Sequence, residues 1–257
     1  MNLKNTCVYF QNLFTLKLIT MGRRDKTTLD LQRLGSTYGG WYVPTEFSNF
    51  ENNKNVLISA GIGHDVSFDI EMQKKGFNIV LLDPLQECCK FAENSQLDQS
   101  KIKIINAGLW LKTGKEMFHP PKHPNHVSWS ITNRKASPKE LGKLFNVVSL
   151  EDVIKEIKID KEEKIIMLKI DIEGAERYLF QAITLNSSFF DYVAIELDYL
   201  NCLPFHKFIK RVMLITETRK NIKNLNLKGL KFVCNDSFNF YWVNSRFFDK
   251  VKIKSLM

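Results

Sequence analysis

Short runs of Val, Ile and Leu alternate with segments of helical periodicity along most of this chain. "NVLISAG" (55–61), "NIVLLDP" (78–84), "KIKIINA" (101–107), "KIIMLKID" (164–171) and "YVAIELD" (192–198) are apolar over nearly their whole length. Near-continuous runs of this kind suit strands covered on both faces by helices, as in a parallel sheet. Between them, Ala175, Tyr178, Leu179, Ala182 and Ile183 recur at i, i+3, i+4, i+7 and i+8, which predicts a helix with one inward stripe. "SLEDVIKEI" (149–157) opens with Ser149 and Asp152 in capping-box spacing and sets Leu150, Val153, Ile154 and Ile157 on one side. "GLKFVCND" (229–236) and "FNFYWVN" (238–244) lie too close for a crossover, so they predict an antiparallel hairpin. The expected fold is α/β: a doubly wound, mostly parallel sheet with one reversed strand near its C-terminus.

Two regions break the pattern. Residues 111–148, with "HPPKHPNH" among them, show no clear periodicity and predict a lid-like insertion or binding element. The apolar piece "CVYFQNLFTLKLITM" (7–21) is interrupted by Gln11, Asn12 and Lys17. It is too short and polar to span a bilayer and carries no small-residue cleavage site. It predicts an amphipathic helix packed on the domain, with peripheral membrane contact as the alternative. Tyr38, Trp41 and Tyr42 around Gly39-Gly40 suit equally a packed hairpin and a lip that stacks on a sugar. The chain therefore divides into an N-terminal extension (1–50), a main domain (51–248) holding the insertion, and a basic tail (249–257).

Composition changes this picture only a little. At 257 residues, 44% hydrophobic and 25% charged, the chain is long enough for one well-buried domain. Cys7, Cys88, Cys89, Cys202 and Cys234 are odd in number and form no CxxC pair, which fits reduced thiols in a cytoplasmic protein. A net charge of +9 attracts acidic partners without naming them. The basic run at 205–228 reads as a solvated face, and no RNA-binding motif accompanies it, so nucleic acid is not an expected partner. His119, His123 and His126 match no ligand spacing, so no metal site is expected.

The chemistry gathers at the strand ends. Ligands of open parallel sheets sit beyond the carboxyl ends of the strands. Those ends read "SAGIGHD" (59–65), Asp83-Pro84, Asn106-Ala107-Gly108, "DIEGAE" (171–176), and Glu196 with Asp198. Gly61 and Gly63 would let a ligand press on bare backbone. Asp83, twenty positions after Gly63, is placed to accept ribose hydroxyls, which points to a nucleoside cofactor. A dinucleotide fingerprint wants a third glycine where Val66 stands, and His64-Asp65 opposes a diphosphate at the helix start. No GxxxxGK[ST] is present. The acid-lined mouth better suits S-adenosyl-L-methionine, which brings a sulfonium, an ammonium and a ribose but no phosphate.

"LKIDIEGAE" (168–176) closely resembles the strand-four motif of the FkbM-type methyltransferases. "SAGIGHDVSFD" (59–69), "LLDP" (81–84), "NAGLW" (106–110), "VVSLEDVI" (147–154) and "AIELD" (194–198) follow in that family's order, over roughly residues 55–245. "RLGSTYGGWYVP" (33–44) is similar to a Gly-Gly-aromatic element ahead of the fold in some members. The resemblance implies a Rossmann-like class I methyltransferase with a seven-stranded sheet and O-methylation of a saccharide or other small molecule. It places Gly61 and Gly63 at the methionine moiety, Asp83-Pro84 at the ribose and Asn106-Ala107 at the adenine edge. Ser59 stands where most class I enzymes carry Asp or Glu, which leaves ammonium recognition to Asp65 or to backbone carbonyls. Asp171 and Glu173 fall beside the methyl group or the acceptor. In-line transfer gains most from alignment, and a hydroxyl acceptor gains from a base: Asp171 first, then Glu173, then His64. The rival readings are an NAD(P)-dependent oxidoreductase and a methyltransferase-like binding module without catalysis.

Overall fold

The apolar runs become the strands of a seven-stranded sheet. The computed structural model describes residues 3–21, 29–49, 55–123, 126–132, 141–157, 164–200 and 208–249. In chain order the main strands are β3 (Asn55–Ala60), β4 (Phe77–Leu82), β5 (Ile102–Ile105), β9 (Ile166–Ile170), β10 (Tyr192–Glu196), β11 (Leu230–Asp236) and β12 (Asn239–Asn244). They lie side by side as β11-β12-β10-β9-β3-β4-β5. The five from β5 to β10 run parallel, and β12 is antiparallel to both β10 and β11. The expected hairpin is present, with its reversed strand inserted between β10 and β11.

The central strands explain the continuous runs. Every residue of β3 and β9 is buried, because helices cover both faces. Val56, Ile58 and Ala60 pack on one side with Ile166, Leu168 and Ile170; Leu57 and Met167 face the other with Trp41, Phe68 and Met72. Each buried aliphatic side chain contributes about 1.5–3 kcal/mol relative to exposure. Period two leaves two polar residues on that second face, Ser59 and Lys169, which are register partners. At the opposite, N-terminal edge, side chains close the ladder. Asn55 Oδ1 accepts from Ile165 N at 3.0 Å and Asp191 Oδ2 from Ile166 N at 2.9 Å. Arg246 Nε donates to Asp191 Oδ1 at 2.8 Å, tying the end of β12 to the start of β10.

Helices α2 (Ser67–Lys74), α3 (Gln86–Glu93), α4 (Leu150–Ile157), α5 (Glu176–Leu185) and α6 (Phe208–Leu227) fill the connections. Ser149 Oγ accepts from Asp152 N at 3.1 Å, so the expected cap of α4 forms. In α5 the expected stripe is corrected: Tyr178 is exposed, and Phe180 turns inward instead. The N-terminal apolar piece is helix α1 (Leu3–Thr20). It packs on α6 through Leu16 and Ile19, while Leu13, Phe14 and Met21 stay exposed. Two of the basic residues of α6 serve that contact: Arg211 Nη1 donates to Thr15 Oγ1 at 2.9 Å, and Arg219 donates to the Leu18 carbonyl. No described helix is long and apolar enough to cross a membrane.

Residues 29–49 form a hairpin, β1 (Leu31–Leu34) with β2 (Trp41–Pro44), and bury Trp41 and Val43 while leaving Tyr38 exposed. The expectation of one irregular insertion at 111–148 is corrected. β6 (Gly108–Trp110), β7 (Gly114–Phe118) and β8 (Lys143–Ser149) make a separate three-stranded sheet, ordered β6-β8-β7. Much of β7 and β8 faces solvent: Phe118, Val147 and Val148 are buried and Phe145 is half-buried, while Met117 and Leu144 are exposed. Cys88 and Cys89 are buried free thiols and Cys234 is half-buried; the Cys7 side chain, Cys202 and the tail beyond Asp249 lie outside the described residues.

Candidate active site

The carboxyl ends of β3, β4 and β9 converge on a cavity of about 510 Å³. Gly61, Gly63 and His64 line it from the first turn, Asp83 and Pro84 from the second, and Asp171 and Glu173 from the third. Two backbone bonds staple these turns: Gly61 N to Leu82 O and Asp171 N to Ala60 O, both 2.9 Å. Gly61 has φ +87°, and a Cβ added there would lie 1.8 Å from the Asp171 carbonyl oxygen. Its missing side chain therefore serves the contact between turns. Gly63, at φ +57°, would meet only Val127 Cγ2 at 4.0 Å, so the open space there belongs to the cavity.

Asp83 is buried, and backbone groups engage both of its carboxylate oxygens. Oδ2 accepts from Ile62 N at 3.0 Å and Gly63 N at 3.3 Å; Oδ1 accepts from Leu85 N at 2.8 Å. Burial pushes its pKa up, and these three N–H groups oppose the shift. Asp83 thus shapes the glycine turn while lining the cavity, and three of its roughly four lone-pair sites are taken by these backbone donors. Asn106 and Ala107 do not reach the wall; Gly108 and Leu109 do. Asn106 Nδ2 instead donates to the carbonyls of Asp83, at 3.0 Å, and Pro84, at 3.2 Å.

Asp65 lines the cavity, but its carboxylate is committed to the hairpin. Ser36 Oγ donates to Oδ2 at 2.5 Å and Ser67 N to Oδ1 at 2.8 Å. Burial raises its pKa, and the hydrogen bonds from Ser36 and Ser67 outweigh that and hold it below the usual range. Gly39 has no room for a side chain, since a Cβ would lie 2.6 Å from Asp65 Oδ2. Asp65 thus fastens the hairpin to the glycine turn while it lines the cavity. Ser59 lies in the core behind the wall.

The three acids of the turn after β9 divide. Glu176 is fully buried; its Oε2 accepts from Gly174 N at 2.7 Å and its Oε1 from Tyr199 N at 3.2 Å. It braces the turn. Asp171 and Glu173 remain on the cavity wall, with Glu173 at φ 58° and its carbonyl accepting from Ser130 Oγ at 2.7 Å. Trp129 and Ser128, from the "SWS" stretch, also line the cavity. His64 lies on the wall with its ring 5.4 Å from Phe91. Among the described residues no group of three or more His, Cys, Asp or Glu could hold a metal ion; the His123 and His126 rings lie tilted at 41° with centroids 5.5 Å apart.

Two functional candidates have no role in the sequence reading, which names Glu196 only as a strand end and Lys169 not at all. Glu196 ends β10 beside Asp171, one step past the paired Ile195 and Ile170. Burial, then the charges of Asp171 and Asp198, raise its pKa to about 9, so it holds its proton at neutral pH. Lys169 lines the cavity and was passed over as one charge in an apolar run. A cation inside a strand buried on both faces was the signal that could have found it.

The strand order, with the last strand reversed and inserted next to β10, decides the fold. This is the class I methyltransferase fold. No family model matches the chain, and no curated protein matches it. Solved structures that resemble it include the fibrillarin pre-rRNA processing protein of Methanococcus jannaschii, 8% identical over 88% of this chain and 92% of that one, with a TM-score of 0.39. That likeness bears on neither substrate nor mechanism.

Proposed function

We propose that this protein is an S-adenosyl-L-methionine-dependent methyltransferase of the FkbM type, acting on a hydroxyl of a saccharide or other small molecule. The observation that carries the reading is that Gly63, Asp83 and Asp171, far apart in sequence, rim one cavity at the carboxyl edge of the sheet. Its size lies within the range of small-molecule sites. The residues present suit a cationic nucleoside. Leu82, Leu85 and Leu109 offer an apolar slot for a base, and Asp83 a carboxylate for ribose hydroxyls. Asp171 and Glu173 offer negative charge for a sulfonium. When bound, the cofactor supplies an electrophilic methyl group. The chain's own part is to hold an acceptor oxygen in line and to take its proton. Asp171 is the base in this account. Glu196, protonated beside it, keeps a second negative charge away from Asp171 at neutral pH.

A thermal-shift comparison tests the proposal. S-adenosylhomocysteine at about 100 times its Kd should stabilise the protein by about 2.7 kcal/mol, with no shift from NAD(H) or NADP(H). Stabilisation by a nicotinamide cofactor and none by the S-adenosyl compound would establish the oxidoreductase reading instead.

A further inference from the structure

Lys169 is an ammonium in the core of the sheet, 5% exposed, on the face that otherwise carries Met167 and Leu57. Its Nζ donates to the Gly61 carbonyl at 2.8 Å and lies 5.5 Å from the centroid of the Trp41 ring. Gly61 is its one hydrogen-bond partner among the described residues, so two of its three N–H groups have no acceptor among them. It is also the one Lys or Arg in the described cavity wall. Behind it, Asp69 of α2 is buried and feels the Lys169 charge, which opposes the upward shift that burial imposes on its carboxyl. Ser59 Oγ lies beside the Asp69 carboxylate and opposes the same shift, and both residues sit in the core behind the cavity wall, so the hydrogen-bonding capacity left for a ligand is that of Lys169 Nζ.

The distribution of charge around the cavity narrows what that ligand is. Lys169 supplies a cation beside Gly61 and Trp41, while Asp171 and Glu173 supply anions from the next turn. A zwitterionic amino acid needs both. We propose that Lys169 receives the carboxylate of an S-adenosyl ligand's amino-acid end, with Asp69 as the buried counter-charge where Ser59 replaces the strand-end acid. This rests on the methyltransferase reading and adds to it a residue for the cofactor's carboxylate.

The test compares S-adenosylhomocysteine with 5′-methylthioadenosine, which shares the nucleoside and sulfur but lacks the amino acid, by calorimetric titration. Lys169→Met should weaken S-adenosylhomocysteine about 30-fold, in keeping with loss of a charged hydrogen bond, and leave 5′-methylthioadenosine within about two-fold. Lys169→Arg should keep the preference of the wild type. If Lys169→Met leaves Asp69 unbalanced and does not fold, Lys169→Met/Asp69→Asn removes both charges and should show the same split. Equal weakening of the two ligands would mean that Lys169 acts only through the Gly61 turn, which overturns the proposal. Wild-type protein that binds neither compound would overturn the methyltransferase reading itself.

Discussion

The turn after β3 and the turn after β9 lie side by side, and both combine glycines with acids, yet they spend their acids differently. In the first, Asp65 is tied to Ser36 and Ser67, and the neighbouring Asp83 to three backbone N–H groups. That turn is a fixed cradle. In the second, only Glu176 is drawn inside to hold the backbone, and the wall keeps Asp171 and Glu173 facing the cavity. A carboxylate committed to backbone donors positions; one that faces a cavity can act on a ligand. Under the proposed function, the contrast assigns the first turn to holding a cofactor and the second to the reacting end.

Breaking the contact between the turns should have the largest effect. Gly61→Ala puts a methyl group into the Asp171 carbonyl in a left-handed backbone, and should cost about 4 kcal/mol or more in urea unfolding. Gly63→Ala shares the positive φ but meets open space, so it should cost only about 1–2 kcal/mol. Equal losses from the two would remove the distinction between a structural and a cavity-facing glycine.

Within the second turn, Asp171→Asn should lower methyl transfer by about 10²–10⁴-fold with the unfolding midpoint unchanged. Glu176→Ala should do the reverse, destabilising the fold by about 2–3 kcal/mol because two buried N–H groups lose a charged acceptor. An active Asp171→Asn protein would move the base elsewhere.

Beside the same turn, Glu196 should also give the protein a pH dependence. Glu196 has its pKa raised from 4.5 to about 9 in the folded protein. Between those values the folded chain keeps a proton that the unfolded chain releases, so this residue lowers stability as pH rises. Chemical denaturation across that window should show a shallower decline for Glu196→Gln than for the wild type. Identical slopes would contradict the protonated assignment.

How far this was legible in sequence depended on burial. β3 and β9 stand out because both faces are covered, which makes their apolar runs continuous. β7 and β8 did not stand out, because in this half-solvated small sheet apolar and buried positions do not coincide: Met117 and Leu144 are exposed. At the site, the glycine turn, Asp83 and "DIEGAE" were recognisable from their places after strands. Their division of labour was not. Glu176 at a helix start looks identical whether it faces water or reaches back to Gly174 and Tyr199. Asp65 depends on Ser36, 29 positions away. The polar group formed by Ser59, Asp69 and Lys169 spans three elements and has no local signature.

The most direct test of the central claim is calorimetric titration of the folded protein with S-adenosylhomocysteine, beside an Asp83→Ala variant whose fold is checked by circular dichroism. The account predicts saturable one-to-one binding to the wild type, weakened at least about ten-fold by the substitution. Absence of binding to folded wild-type protein at millimolar ligand, or unchanged affinity in the variant, would contradict it.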